Sequence, residues 1–210
     1  MLRITLVRHA ETDWNRVRRI QGSSDTPLNA FGLRQADAAA RFLKTSEFSA
    51  IYSSPLQRAL STAEAIGCRH GLEPVRVEVL REITYGAWEW LAIEEVISRW
   101  PGEWLSFVEN PALNRPPGGE PSSLYLSRFS PFLEELHARH SNTAICLVGH
   151  SGSIRGLLTA ALLAGAETWI RLSTANASVS EVHMDEAGRT EVIRMNDTSF
   201  LEGLIRTEAQ

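Results

Sequence analysis

Ala144-Ile-Cys-Leu-Val-Gly-His-Ser-Gly152 holds five consecutive apolar residues followed by a tight polar turn. An unbroken apolar run of this length fits a strand buried on both faces, the normal state in a parallel sheet. The N-terminal stretch Arg3–Val7 reads as a second strand, and it too runs into a histidine, through Val7-Arg8-His9. Ligands of open α/β sheets lie beyond the carboxyl ends of the strands. If these two strands are neighbours, His9 and His150 face one crevice.

Outward from these strands the pattern alternates strand and helix, which predicts an α/β fold with a largely parallel sheet. Asn29 is placed to cap a helix running to about Lys44, with Ala36, Ala39, Ala40 and Leu43 on one side. Ala50–Ser53 is a short strand. The next helix is expected to start with Ser54 as N-cap, Pro55 in first position and Gln57 closing a capping box, and to end at Gly67. Val75–Val79 reads as a strand near an edge. The segment 85–120 breaks the rhythm: it holds four of the six tryptophans and ends in a Pro/Gly-rich loop, and is expected to form a helical cap inserted in one domain spanning 1–210. A helix over 122–140, bent at Ser130-Pro131, should follow. After the Ala144–Val148 strand a helix reaches about Leu163. Ala177–Met184 and Thr190–Met195 flank a turn and predict a closing antiparallel hairpin.

Composition narrows the chemistry. Of the 21 basic residues 20 are arginine, and Lys44 is the single lysine, in a polar stretch. A Walker-type phosphate loop or a Schiff-base lysine is thereby excluded. The net charge of −4 argues against bulk nucleic-acid binding. No run of about 18 apolar residues suggests a membrane span. Cys68 and Cys146 have neither a disulfide framework nor metal spacing, so a reducing cytoplasm is the expected setting.

Two more residues reach the edge where the histidines lie: Arg58, in the first turn of its helix, and Glu82, beyond the Val75–Leu80 stretch. Two arginines and two histidines around one carboxylate form a cationic cup for a dianion, and arginine forks match phosphate oxygens.

The motifs that carry these residues resemble the histidine phosphatase superfamily, the phosphoglycerate mutase-like proteins. Leu6-Val-Arg-His-Ala-Glu-Thr-Asp-Trp-Asn15 is similar to the family's Arg-His-Gly-Glu-Thr signature. The similarity continues through Gln21–Leu28, Gly32–Ala36, Ser53–Ala59, Leu80–Glu89, Pro117–Glu120, Val148–Arg155 and Asn196-Asp197, in family order. The resemblance implies a three-layer α/β/α fold with a mixed, mostly parallel sheet whose first and fourth strands are neighbours. It also implies a metal-independent phosphomonoester hydrolase that needs no cofactor and acts on a small phosphorylated substrate. In it His9 is the nucleophile, forming a phosphohistidine, and its other ring nitrogen should donate to a backbone carbonyl. Glu82 is the proton donor, which calls for partial burial under the cap. Arg8, Asn15, Arg58 and His150 hold phosphate oxygens, and Gln21 and Ser23 are substrate contacts at the pocket edge. Glu11 and Thr12 brace the loop.

Some positions depart from the family pattern. Ala10 and Trp90 stand where glycine is common, and Pro121 where serine is common. Ala10 matters only if its φ is positive. The tryptophan cluster is expected to be the core of the cap rather than an aromatic pocket wall. His137 and His140 form an H-x-x-H pair read as a solvated helix face rather than a metal site. Two alternatives to hydrolysis stand: phosphoglycerate mutase-type transfer, and a non-catalytic protein that holds a phosphorylated ligand. The 85–120 segment carries two arginines and six glutamates, a net charge of −4. If those glutamates line the mouth, they disfavour the bisphosphorylated intermediate of a mutase.

Overall fold

The computed structural model describes residues 1–111 and 113–204; position 112 of the tryptophan-rich segment and positions 205–210 lie outside it. The chain begins with β1 (Leu2–Arg8), a short helix α1 (Asp13–Arg16), α2 (Ala30–Phe42), β2 (Phe48–Ser53), α3 (Gln57–His70) and β3 (Val75–Arg76). Next come α4 (Ile93–Arg99), α5 (Pro101–Glu109), α6 (Ser122–Leu126) and α7 (Phe129–Arg139). The chain then forms β4 (Ala144–Gly149), α8 (Ser151–Ala161), α9 (Ala166–Trp169) and the hairpin β5 (Val179–Met184) and β6 (Thr190–Asp197).

The strands form one sheet in the order β3-β2-β4-β1-β5-β6. β4 sits at its centre, buried at every residue as its apolar run requires. It is parallel to β1 and to β2, while β5 is antiparallel to both β1 and β6. The expected adjacency of the two histidine-ended strands therefore holds, with Arg8 opposite Gly149. Alternate β1 side chains go to opposite layers. Leu2, Ile4 and Leu6 pack with α7 and α8 residues such as Phe129, Leu136 and Leu157, whereas Val7 packs with α2 and α3 through Ala40, Ala59 and Ala63. These are the helical layers of an α/β/α fold.

Several boundaries differ from the sequence expectation. Asn29 does cap α2, accepting from Gly32 N at 2.7 Å. Ser54 does not cap α3: Leu56 is the N-cap residue and offers no side-chain bond. Ser54 Oγ is instead engaged by His150 Nε2 at 2.7 Å, and Asp25, from a loop far back in the chain, accepts from Gln57 N at 2.7 Å. α3 runs past Gly67 to His70 and stops at Gly71, whose φ of +64° gives the left-handed cap that glycine adopts without a Cβ clash. The Val75–Val79 strand shortens to two edge residues and passes into a single-turn helix over Glu78–Leu80. The 122–140 helix is two helices, parted at Ser127-Arg128 rather than bent at Ser130-Pro131. Pro131 lies in the first turn of α7, where its missing N–H has no partner to lose. Pro121 supplies no side-chain cap to α6.

Ala10 is buried, is absent from the positive-φ residues, and donates its N–H to Thr62 Oγ1, so its replacement of glycine carries no backbone strain. Trp90 is different: its φ is +75°. The left-handed region costs a bulky residue about 1–2 kcal/mol. His137 and His140 are half-buried and separately engaged, His137 Nε2 donating to Asp185 O and His140 Nε2 meeting the Tyr52 hydroxyl, each at 2.8 Å. They are tied to the fold rather than solvated. Among the described residues no helix is long and apolar enough to cross a membrane.

Candidate active site

At the carboxyl edge of β1 and β4 lies a cavity of about 360 Å³. Arg8, His9, Asn15, Gln21, Arg58 and Glu82, all singled out from sequence, line it together. His9 follows β1 directly, and its backbone is clamped on both sides: its N–H donates to Gly149 O at 2.8 Å and its carbonyl accepts from Ala177 N at 3.2 Å. Its Nδ1 lies 2.7 Å from Ala10 O. A carbonyl only accepts, so Nδ1 carries the proton and Nε2 keeps its lone pair. Burial, reinforced by Arg58 and Arg8, holds the His9 imidazolium well below the ordinary histidine range. A buried imidazole beside two guanidinium groups is neutral at pH 7.

Arg58 is 1% exposed. Its NH1 donates to Ser24 O at 2.6 Å, its NH2 to Gly22 O at 2.8 Å and its Nε to His150 Nδ1 at 3.2 Å. Arg8 donates to Thr174 O at 2.6 Å, and its buried Nε has no hydrogen-bond partner among the described residues. Burial brings both guanidinium groups down to about 10, which leaves them charged at neutral pH. A buried cation with an unspent donor at the floor of a cavity is arranged for an anion.

His150 lies behind this floor rather than on the cavity wall, fully buried, with its ring centroid 5.2 Å from that of His9. Since Nδ1 accepts from Arg58, the proton is on Nε2 and goes to Ser54 Oγ. Burial and the charge of Arg58 push its imidazolium well below the ordinary range as well.

Asn15 completes the capping box of α1: its Oδ1 accepts from Thr12 N and its own N–H bonds Thr12 Oγ1. Asn176 Nδ2 also donates to Asn15 Oδ1 at 3.2 Å, which leaves the Asn15 NH₂ group as its cavity-side donor. Gln21 Oε1 is taken by the hydroxyls of Thr26 and Thr12. Glu11 and Thr12 brace the loop as expected, Glu11 through Asn29 and Gln35. Ser23 does not line the cavity; its N–H and hydroxyl both go to Glu89.

Glu82 is half-buried in the cavity wall. Its Oε1 accepts from Ile83 N at 3.0 Å and from the Tyr125 hydroxyl at 3.2 Å, and its Oε2 from Gly152 N at 3.1 Å. Burial and the charge of Glu82 raise the Tyr125 phenol well above its ordinary value, so it stays a donor. Gly152 belongs to the first turn of α8, whose N-terminal end favours a carboxylate. A Cβ at this position falls 2.1 Å from Glu82 Oε1, so only glycine admits the carboxylate.

Sequence reasoning missed Tyr125 and Gly152 as holders of Glu82. It also counted Glu89 merely as cap charge. Glu89 accepts from Ser23 N at 3.0 Å, Ser24 Oγ at 3.0 Å and Tyr85 N at 2.9 Å. It thus pins the 22–24 loop whose carbonyls hold Arg58. Replacing Glu89 by alanine is expected to lower stability by about 2–3 kcal/mol, the worth of hydrogen bonds to a charged group, and to weaken phosphate binding through Arg58. Thermal melts with and without phosphate check both effects.

The glutamates of 85–120 do not form the cavity mouth as expected. Glu94 pairs with Arg18 at 3.2 Å and Glu95 with Arg99 at 3.4 Å, and Glu120 pairs with Arg128. None of the segment's six glutamates lines the cavity, whereas Arg18 and Arg19 do. Glu94 reaches the mouth by pairing with Arg18, whereas Glu95 pairs within α4 and Glu120 with Arg128 just before α7. The tryptophans form no separate core of the segment among the described residues: Trp88, buried and in ring contact with Trp104 and Phe107, belongs to the same apolar cluster as Leu6 and Leu147 of the sheet, and Trp90 is exposed. Trp104 and Phe107 also line the cavity, so the same cluster serves as core and wall.

Fold and site together define an α/β protein with an anion cavity built around a buried neutral histidine. A model of the histidine phosphatase superfamily (branch 1) matches residues 4–198, and the chain belongs to that superfamily. Phosphoserine phosphatase 1 of Hydrogenobacter thermophilus is 35% identical over 201 residues, which span 96% of this chain and 95% of that protein. A probable phosphoglycerate mutase of Proteus mirabilis is 34% identical over 182 residues, 87% of this chain and 85% of that protein. Among solved structures, a mycobacterial glucosyl-3-phosphoglycerate phosphatase complexed with VO3 superimposes with a TM-score of 0.87 at 32% identity, covering 93% of this chain and 99% of that one.

Proposed function

We propose that the protein hydrolyses a small phosphomonoester through a phosphohistidine on His9, with Glu82 moving the proton. The observation that carries this reading is the His9 ring: Nδ1 is fixed on Ala10 O, and the deprotonated Nε2 belongs to a cavity shared with Arg8, Arg58 and Glu82. Nε2 attacks phosphorus, the P–N bond forms, the ester P–O bond breaks, and Glu82 gives its proton to the leaving alkoxide. Water then attacks the phosphohistidine, Glu82 takes the water's proton, and phosphate leaves with Nε2 restored. Arg8, Arg58 and the Asn15 NH₂ group stabilise the charge on the transferring oxygens. His150 orients Arg58 through its Nδ1, and its Nε2–H, held by Ser54, is the donor expected to turn to a phosphoryl oxygen. Gln21 stands at the edge of the same site.

The phosphatase names of relatives matched along nearly their full length support this reading. The mutase reading draws on the Proteus relative and on Arg19 at the mouth, a cation that suits a second phosphate, while the neighbouring Arg18 is paired with Glu94. Supplying 3-phosphoglycerate with the bisphosphate separates the two: free phosphate is the expected product, and the 2-isomer overturns hydrolysis. Residues 1–210 are read as one domain with 85–120 as its cap. A reducing cytoplasmic setting suits the unpaired cysteines, Cys68 exposed and Cys146 buried.

Burial of two neutral histidines has a further consequence. In the unfolded chain both titrate near 6.5, while in the folded protein both titrate well below it. The unfolded state therefore binds more protons below pH 6.5, and stability, fully present above that value, falls as pH drops. The slope contributed is about 1.4 kcal/mol per pH unit for each histidine. Denaturant melts between pH 7 and 5 are expected to show it, and His9→Asn should remove one histidine's share.

A further inference from the structure

The outer half of the cavity is unlike its floor. Beside Arg18, Arg19 and Tyr85 its surface is Trp14, Ile20, Ile93, Trp104 and Phe107, and Glu82 is the cavity's one carboxylate among the described residues. A polyhydroxylated or zwitterionic alcohol held there buries polar groups against a wall whose larger part is apolar. Flat apolar groups fit such a surface, since aromatic faces stack and exclude water.

Trp90, itself outside the cavity lining, packs against this wall in an unusual conformation. Its φ of +75° is unfavourable for a side chain of its size, and it is 62% exposed, so burial does not account for it. The ring packs edge-on against Trp14, centroids 4.8 Å apart at 65°. Trp14 carries the Arg19 guanidinium over its ring, 5.7 Å from the centroid. The backbone of Trp90 is locked to the same stretch, its N–H donating to Ile20 O at 3.0 Å while Ile20 N donates to Leu91 O at 2.9 Å. A strained, exposed aromatic is thus spent on holding a second aromatic that lines the cavity.

We infer that Trp90 is a positioning residue for substrate choice: it props Trp14 as a wall of the outer cavity, which takes a phosphomonoester whose alcohol portion is a planar aromatic group. This rests on the hydrolytic reading of the site and names its substrate class.

Two non-hydrolysable probes test it on the intact protein by calorimetric titration: 1-naphthylmethylphosphonate and methylphosphonate. The aryl probe is expected to bind at least about 10-fold tighter, the worth of burying one aromatic group well short of completely. Trp90→Gly should reduce that ratio to about 3-fold or less while the melting temperature holds or rises, because glycine accepts the positive φ. Trp90→Phe should keep most of the ratio. Equal binding of the two probes, failure of both to bind, or an unchanged ratio in Trp90→Gly overturns the inference. Binding needs no turnover, so an aryl preference without phosphate release overturns hydrolysis alone, and phosphate release without a preference overturns this inference alone.

Discussion

Replacing His9 by alanine is expected to reduce phosphate release from an aryl phosphate by about 10⁴-fold or more, the usual consequence of deleting a nucleophile that acts within a preorganised site. Alanine leaves the floor intact. Arg58 keeps its bonds to Ser24 O, Gly22 O and His150, and Arg8 its bond to Thr174 O. None of these passes through the His9 ring. Inorganic phosphate should therefore bind the variant within a few-fold of the wild type. A metal chelator should leave the wild type active, because the developing charge is met by side-chain cations. Titration calorimetry with phosphate and a chelator-treated rate assay supply the measurements. Full activity in the variant, or loss of wild-type activity with chelator, contradicts the phosphohistidine mechanism.

The parts of this site that the sequence disclosed share a physical cause. Continuous burial writes itself as the apolar run Ala144–Val148, and the strand end follows at once, so His150, like His9, could be placed at a strand end, while the adjacency of the two strands came from the family resemblance. The Asn29 cap was legible because its partner, Gly32 N, is three residues away. Ser54 looked equally good by spacing, yet its hydroxyl went to His150, 96 residues distant, and Asp25 took over the helix start. Composition likewise gave the acidity of 85–120 but not its direction. Glu94 faces Arg18 and Glu89 faces Ser23 and Ser24, partners contributed by the loop after β1. Local periodicity reports burial and capping; pairings across the fold leave no spacing to read. The strain at Trp90 shows the remaining gap, since the family's usual glycine marked the position as unusual without telling which side chain it would prop.

Glu82→Gln is expected to lower kcat by about 10²- to 10³-fold, the range of a lost general acid, with phosphate affinity changed by less than about 3-fold. Glutamine is close in shape, and its carbonyl can still accept from Ile83 N and Tyr125. Its NH₂ group cannot accept from Gly152 N, so one contact is lost along with the transferable proton. The leaving group offers a sharper signature than the rate alone. A nitrophenolate departs without much help from an acid, whereas an alkoxide requires the proton, so the variant should lose more activity on an alkyl phosphate than on p-nitrophenyl phosphate. A merely structural Glu82 predicts equal losses on both, together with weakened phosphate binding. Gly152→Ala attacks the same group without altering its chemistry. The new Cβ would come within 2.1 Å of Glu82 Oε1 and must displace the carboxylate. Alanine is also the better helix former by about 1 kcal/mol, which offsets part of the steric penalty and favours a folded variant. Its kinetic profile should follow that of Glu82→Gln, with the alkyl phosphate again the more affected, because the proton donor is present but misplaced.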